Sequence, residues 1–205
     1  MRRLMRLAGV SVRKRRRYKI TTHSNHRYPV SHNLIQRNFQ TKRPNLVRIS
    51  DITYIKTIEG WLYLAAVMDL YSRKVVGWSL ARNMAVAMVK DALMMAIGRR
   101  KPDPGLIHHS DWGIQYACDE YRWLLRDHGM TSSMSRSGNC LDNAVAERFF
   151  CTLKTECLVN WREMSAEEVK HDIVDYIEMF YNSERLHSFL GYLSPNDYEI
   201  LTVNS

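Results

Sequence analysis

The spacing of apolar residues changes along this chain, and each change marks a different kind of element. Across 49–57, Ile52, Tyr54 and Ile55 fall in a strand-like run that stops at the turn pair Glu59-Gly60. Residues 61–70 are almost continuously apolar, as in a central strand buried on both faces. Ser72-Arg73-Lys74 makes the next turn and 75–80 a third strand. Links this short predict an antiparallel meander. The period then lengthens. Val86, Val89, Leu93 and Ile97 recur at helical spacing, and Gly98 with Arg99, Arg100 and Lys101 is expected to close that helix. A short strand at 106–109, a helix at 115–128 ended by Gly129, and another short strand at 130–133 follow. Asp142 is read as the cap of a long helix reaching about 158, and Ser165-x-x-Glu168 as a capping box. The last helix carries Val169, Ile173, Ile177 and Phe180 on one face. This order predicts an α/β domain, a mixed five-stranded sheet flanked by helices.

The first fifty residues lack such periodicity. A short helix fits 1–10, and 19–44 reads as an extended linker with one helical piece at 32–39. Charge separates this part from the rest. Residues 1–50 hold fourteen of the thirty Lys and Arg and no acid; the remainder sets sixteen basic residues against all twenty-one acidic ones. The chain is a cationic, largely irregular arm on a mildly acidic body. Arg13, Lys14, Arg15, Arg16, Arg17 and Lys19 form its densest part. Such a block repels itself and suits a polyanion, most simply nucleic acid, whose counterions it releases. The expected division is an arm at 1–48, a core at 49–160 and a helical extension at 161–205. No apolar stretch approaches the ~18 residues of a membrane span, and no signal-peptide pattern opens the chain. Four cysteines without C-x-x-C spacing read as reduced thiols rather than a disulfide framework. A cytoplasmic location is the expectation.

Three carboxylates fall where such elements could bring them together. Asp51 lies in the first strand, Asp111 just past the fourth, and Glu147 in the first turns of the capped helix. With Val145, Phe149 and Leu153 facing the sheet, Glu147 stands about 200° round the axis, beside Asn143 and Lys154. Clustered carboxylates suit a hard divalent cation, and two such ions serve phosphodiester cutting and joining. Asp69 is an equally good candidate on spacing. Each acid also has a bland reading as a strand-edge charge, a turn former or an exposed helix residue. A zinc site at His108 and His109 lacks a second ligand pair. Trp61, Trp78 and Tyr63 read as sheet core, and Cys151 has no evident activating base.

Longer motifs narrow this. Asp51-Ile52-Thr53-Tyr54, Gly60-Trp61-Leu62-Tyr63-Leu64, Asp69-Leu70-Tyr71-Ser72-Arg73 and Gly77-Trp78 resemble the start of an integrase catalytic core. His108-His109-Ser110-Asp111-x-Gly113-x-Gln115-Tyr116 resembles its second acidic motif. Ser135-Arg136-x-Gly138-Asn139-Cys140-x-Asp142-Asn143-Ala144-x-Ala146-Glu147-x-Phe149-Phe150 resembles its third, with Leu153-Lys154-x-Glu156 continuing it. Tyr181-Asn182-x-x-Arg185-x-His187 and Gly191-Tyr192-x-Ser194-Pro195 look like the C-terminal signature, and thirty-five residues separate Asp111 from Glu147, the family's gap. The whole is similar to second-frame transposases of bacterial insertion sequences, in the DDE group related to retroviral integrases.

The resemblance implies an RNase H-like fold and magnesium-dependent strand cleavage and transfer at element ends. Asp51, Asp111 and Glu147 would be the catalytic, metal-holding acids, with two Mg2+ ions per site and Mn2+ as a substitute. Asp69 matches a non-catalytic position. Lys154 would contact DNA with the arm. Partners would be double-stranded DNA, further copies of the chain, and an upstream-frame helix-turn-helix protein, all at the nucleoid. Arg48 stands where the family usually has Trp, Leu141 where an aromatic is common, and Arg148 where a small residue is common. Arg48 is expected to disturb packing beside Asp51. Members usually carry a helix-turn-helix ahead of a segment like Arg2-Arg3-Leu4-Met5-Arg6, so the chain is expected to begin at the end of that module. Both features suggest a rival, a weak or inactive transposase acting as a DNA-binding regulator.

Overall fold

The computed structural model describes residues 28–136, 140–158 and 160–203. Three strands open the body: β1 (Val47–Thr57), β2 (Gly60–Asp69) and β3 (Val75–Ala81). Helix α1 (Val86–Arg100) follows, then β4 (Ile107–Ser110), α2 (Ile114–Ala117), α3 (Asp119–Asp127) and β5 (Thr131–Met134). Helices α4 (Ala144–Glu156), α5 (Ala166–Asp175) and α6 (Pro195–Val203) complete the chain.

The sheet order is β3-β2-β1-β4-β5. β1, β2 and β3 pair antiparallel, as their short links require, and β4 and β5 add in parallel. Two apolar layers cover the faces. Ile49, Ile55, Leu64 and Met68 meet Phe149, Phe150 and Leu153 of α4 and Val169 and Ile173 of α5. Ala65, Val67 and Val76 meet Val89, Ala92 and Leu93 of α1 and Tyr121 and Leu125 of α3. β2 contributes to both layers, which is why its sequence is apolar without alternation. At Gly77 a Cβ would collide with the Ala92 carbonyl and with Ala96, so glycine lets α1 lie close on β3.

Several local expectations are corrected. Gly98 lies inside α1; Lys101 ends it in a left-handed conformation (φ 40°), donating its N–H to the Ile97 carbonyl. The helix expected at 115–128 is broken at Cys118, whose backbone is extended (ψ 154°). Asp142 does not cap α4. It sits in a short 3-10 turn, and Asn143 occupies the cap position with no side-chain cap bond. The core face of α4 is centred on Ala146, Phe149, Phe150 and Leu153, with Val145 only half-buried. A six-residue π turn, Tyr176–Tyr181, extends α5. Its wider spacing turns Phe180 outward and carries Tyr181 into the core. Trp61 is exposed and packs edge-on against Tyr54 at 5.2 Å, so it is no part of the sheet core. The Ser165–Glu168 capping box forms as expected.

No helix forms at 32–39. That segment is laid across the body in bends, with Gln36 and Arg37 at positive φ and Ile35 buried. The helix expected at 1–10 and the basic run at 13–19 lie outside the described residues. Among the described residues no helix is long and apolar enough to cross a membrane.

Candidate active site

The parallel rungs of β1 and β4 pair Arg48 with His108 and Ile49 with His109. Carried two residues further, the same register sets Asp51 beside Asp111. Both line one open depression with Thr53, Tyr54, Tyr63 and Gln115. Each carboxylate is held by a local backbone donor: Ile52 N–H to Asp51 Oδ1 at 2.8 Å, and Gly113 N–H to Asp111 Oδ1 at 2.9 Å.

The third acid arrives on α4. One flank of this helix lies along β1. At its start Asn143 donates to the Ser50 carbonyl at 3.4 Å; two turns past Glu147, Lys154 Nζ donates to Thr53 Oγ1 at 2.7 Å. Lys154 also lies 4.8 Å from the centre of the Tyr54 ring. Glu147, between these two anchors, is half-buried. The stripe Asn143–Glu147–Lys154 is therefore a polar flank laid against the strand that carries Asp51, not a solvent-facing edge.

Electrostatics links the three acids. The Asp51 carboxyl is held well above the usual carboxylate range, first by burial and then by the charge of Asp111. Glu147 adds to the rise, while the Ile52 N–H and an Asn143 hydrogen bond oppose it. Burial also brings the Lys154 ammonium down to about 8, partly offset by Asp51. Among the described residues no three His, Cys, Asp or Glu groups stand at the spacing of a ready-made metal cage. The donor set nonetheless suits a hard divalent cation: oxygen ligands only, with mutual repulsion that a cation would relieve. Magnesium ordinarily takes one or two carboxylates and completes its shell with water and phosphate.

Other sequence candidates lie elsewhere. Asp69 is fully buried and accepts the Asn45 and Tyr71 N–H groups at 2.8 and 2.9 Å, a turn-closing role. His108 bonds Tyr121 through Nε2 at 2.9 Å, and His109 bonds Ser133 through Nδ1 at 2.8 Å. Burial, chiefly, holds these imidazoles neutral, near 3 and 4. They are core polar groups. Arg48 is wholly enclosed and donates to Asn45 Oδ1 at 3.0 Å, with Asp69 and Arg100 nearby. It occupies the opposite face of β1 from Asp51, and its Nε and Nη1 have no hydrogen-bond partner among the described residues. Sequence reasoning did not single out Asn143, Thr53 or Gln115 as site residues. All three stand inside the quoted motifs, which was the available signal.

Residues 41–140 match the integrase core domain family, and 128–195 match a second integrase core domain family. A 31 kDa protein of insertion element IS600 from Shigella sonnei is 42% identical over 193 residues, 94% of this chain and 71% of that protein. The transposase InsF of insertion sequence IS3A from Escherichia coli is 42% identical over 195 residues, 95% of this chain and 68% of that one. The fold is that of retroviral integrase cores. The HTLV-2 integrase catalytic core, solved in complex with magnesium, superposes with a TM-score of 0.60 at 14% identity, covering 77% of this chain and 97% of that one. The BIV core gives 0.57 at 16%, covering 78% and 97%. With a mixed sheet of RNase H-like order and this degree of identity to insertion-sequence transposases, the chain belongs to the integrase-core family of transposases.

Proposed function

We propose that this chain cuts and joins DNA strands at the ends of an insertion element, with Asp51, Asp111 and Glu147 as its catalytic acids. One observation carries the reading. Three separate elements, β1, the β4–α2 link and α4, deliver carboxylates close enough for Asp51 to feel both others. Divalent ions bound there would supply a polarised phosphoryl oxygen and an activated attacking oxygen. The magnesium bound by the HTLV-2 core supports that choice of ion.

The chain's own groups do the positioning. Ile52 N–H and Asn143 aim Asp51, and Gly113 N–H aims Asp111. Lys154, braced by Thr53 and the Tyr54 ring, offers its ammonium to the phosphate beside the reacting one. In the cutting step a water oxygen bonds to phosphorus and gives up a proton, the P–O3′ bond breaks, and the departing O3′ takes up a proton, leaving a 3′-hydroxyl and a 5′-phosphate. In the joining step that hydroxyl attacks a second phosphodiester, so bonds are exchanged and no protein–DNA covalent bond is needed. Arg13, Lys14, Arg15, Arg16, Arg17 and Lys19 would hold flanking phosphates. The domain division at 48 and 160, assembly with further copies, an upstream-frame helix-turn-helix partner and residence at the nucleoid belong to the same proposal.

The test is nicking of a duplex carrying the element's own termini, titrated with Mg2+ or Mn2+. Asp51→Asn, Asp111→Asn and Glu147→Gln should each lower nicking at least ~100-fold while duplex binding persists. Wild-type rates in any of the three would remove that residue from the catalytic set.

A further inference from the structure

The other flank of α4 borders a second and larger groove, enclosing about 1220 Å³ including its open mouth. Ala144, Val145, Arg148 and Thr152 form one wall; the segment from Tyr181 to Tyr192 forms the other. The lining contains no acidic residue and three arginines, Arg73, Arg148 and Arg185. Arg185 is matched by Glu156, which it grips with two contacts of 2.7 and 2.8 Å. Arg73 is not matched in this way. It is 8% exposed, spends one N–H on the Phe39 carbonyl at 2.8 Å, and leaves Nη1 without a hydrogen-bond partner among the described residues. A buried guanidinium with an unspent donor is costly unless an anion completes it.

Large rings stand open above this charge. Phe189 lies 4.0 Å over the Arg73 guanidinium and is 50% exposed; Tyr192 is 69% exposed. Cations in a groove with ring faces beside them is the arrangement that holds single-stranded nucleic acid: phosphates follow the charge and unpaired bases stack. In a duplex the base faces are already covered by one another. Arg148, on this wall, directly follows Glu147 in α4 and stands about 100° round the helix from it.

We infer that this groove, floored by Arg73 and walled by Arg148, Phe189 and Tyr192, binds a short run of unpaired DNA next to the acidic site. The inference rests on the DNA-cutting reading for its location, but its test does not depend on cleavage.

The test is fluorescence anisotropy of the full chain with labelled oligothymidylate and with a duplex of equal length, in chelator. Tyr192 has φ 62°, a backbone state asparagine tolerates, so Tyr192→Asn removes the ring without backbone strain. Tyr192→Asn combined with Phe189→Ala should weaken oligothymidylate binding on the order of tenfold or more and duplex binding by less than about twofold. Tyr192→Asn alone, whose ring is mostly in solvent, should give part of that selective loss with unchanged thermal melting. An oligonucleotide carrying iodouracil should cross-link to the peptide holding Phe189 and Tyr192. Equal losses on both DNAs, no loss on either, or cross-links confined to other peptides would overturn the inference. So would displacement of oligothymidylate by polyglutamate as effectively as by unlabelled oligothymidylate, since the groove would then read charge alone, as an acidic peptide would. Failure of metal-dependent nicking would overturn the cutting proposal without touching this binding result.

Discussion

Asp142 shows how a single side chain can organise the approach to the site. Its carboxylate is fully enclosed and accepts from Asn33 Nδ2 at 3.0 Å, Arg37 Nε at 2.8 Å, and the N–H, Nε and Nη2 of Arg136 at 3.1, 2.9 and 2.9 Å. These bonds, led by the Arg136 side chain, hold it far below its ordinary value of 3.8. A carboxyl whose folded value is depressed adds stability above its unfolded value, and that stability is lost as pH falls through the folded one. Asp142→Asn should therefore lower stability by about 1–3 kcal/mol at neutral pH, less than a fully buried pair because both arginines reach solvent. Denaturant unfolding should show the gap to wild type constant above about pH 5 and closing as the medium becomes strongly acidic. A gap that widened in acid would contradict the assignment. Sequence alone read Asp142 as a helix cap, because Asp just ahead of a helical run is a common cap residue. Only the return of the segment at 33–37 reveals the clamp.

Among the elements, α1 depends on a close approach that no side-chain pattern announces. Gly77→Ala would drive a methyl into the Ala92 carbonyl and should cost about 3 kcal/mol or more, read as a lowered thermal midpoint. The start of α5 is the converse, a device legible in four residues. Ser165 and Glu168 close a reciprocal pair of bonds, with the Glu168 carboxylate 2.7 Å from the Ser165 N–H. Ser165→Ala should cost about 1 kcal/mol in denaturant unfolding and leave any DNA binding unchanged. The strand run and its turns were readable because meander links are short and their residues specific. The break at Cys118 and the π turn at Tyr176–Tyr181 were not. Both bend the chain to fit a neighbour, and period alone continues a helix until something stops it.

At the scale of the whole molecule, charge asymmetry dominates: a basic first quarter joined to a body with an acidic excess. Replacing Arg13, Lys14, Arg15, Arg16 and Arg17 with Gln should flatten the dependence of log affinity on log salt by as much as about 4.5, since each released phosphate contact contributes ~0.9. Equal salt slopes for the two proteins would show that the arm does not bear the phosphates. Substitutions of Asp51, Asp111 or Glu147 should leave that slope near the wild-type value, because these acids lie well apart in sequence from the basic run.

By itself the sequence determined the order of the strands and main helices up to α5, the antiparallel start of the sheet, the uneven charge and the family, whose motifs point to three acids. Each is a local or linear property, carried by apolar period, turn chemistry or motif spacing. Tertiary structure alone decided which acids meet. The parallel register of β1 and β4 brings Asp51 and Asp111 level, and the anchors at Asn143 and Lys154 lay the Glu147 flank of α4 against them. It also decided that Asp69 and both histidines are structural and that Arg48 points away from the site. The physical reason is that pairing register and helix docking are contacts between residues distant in the chain, and a linear pattern does not encode the rotation that brings them together.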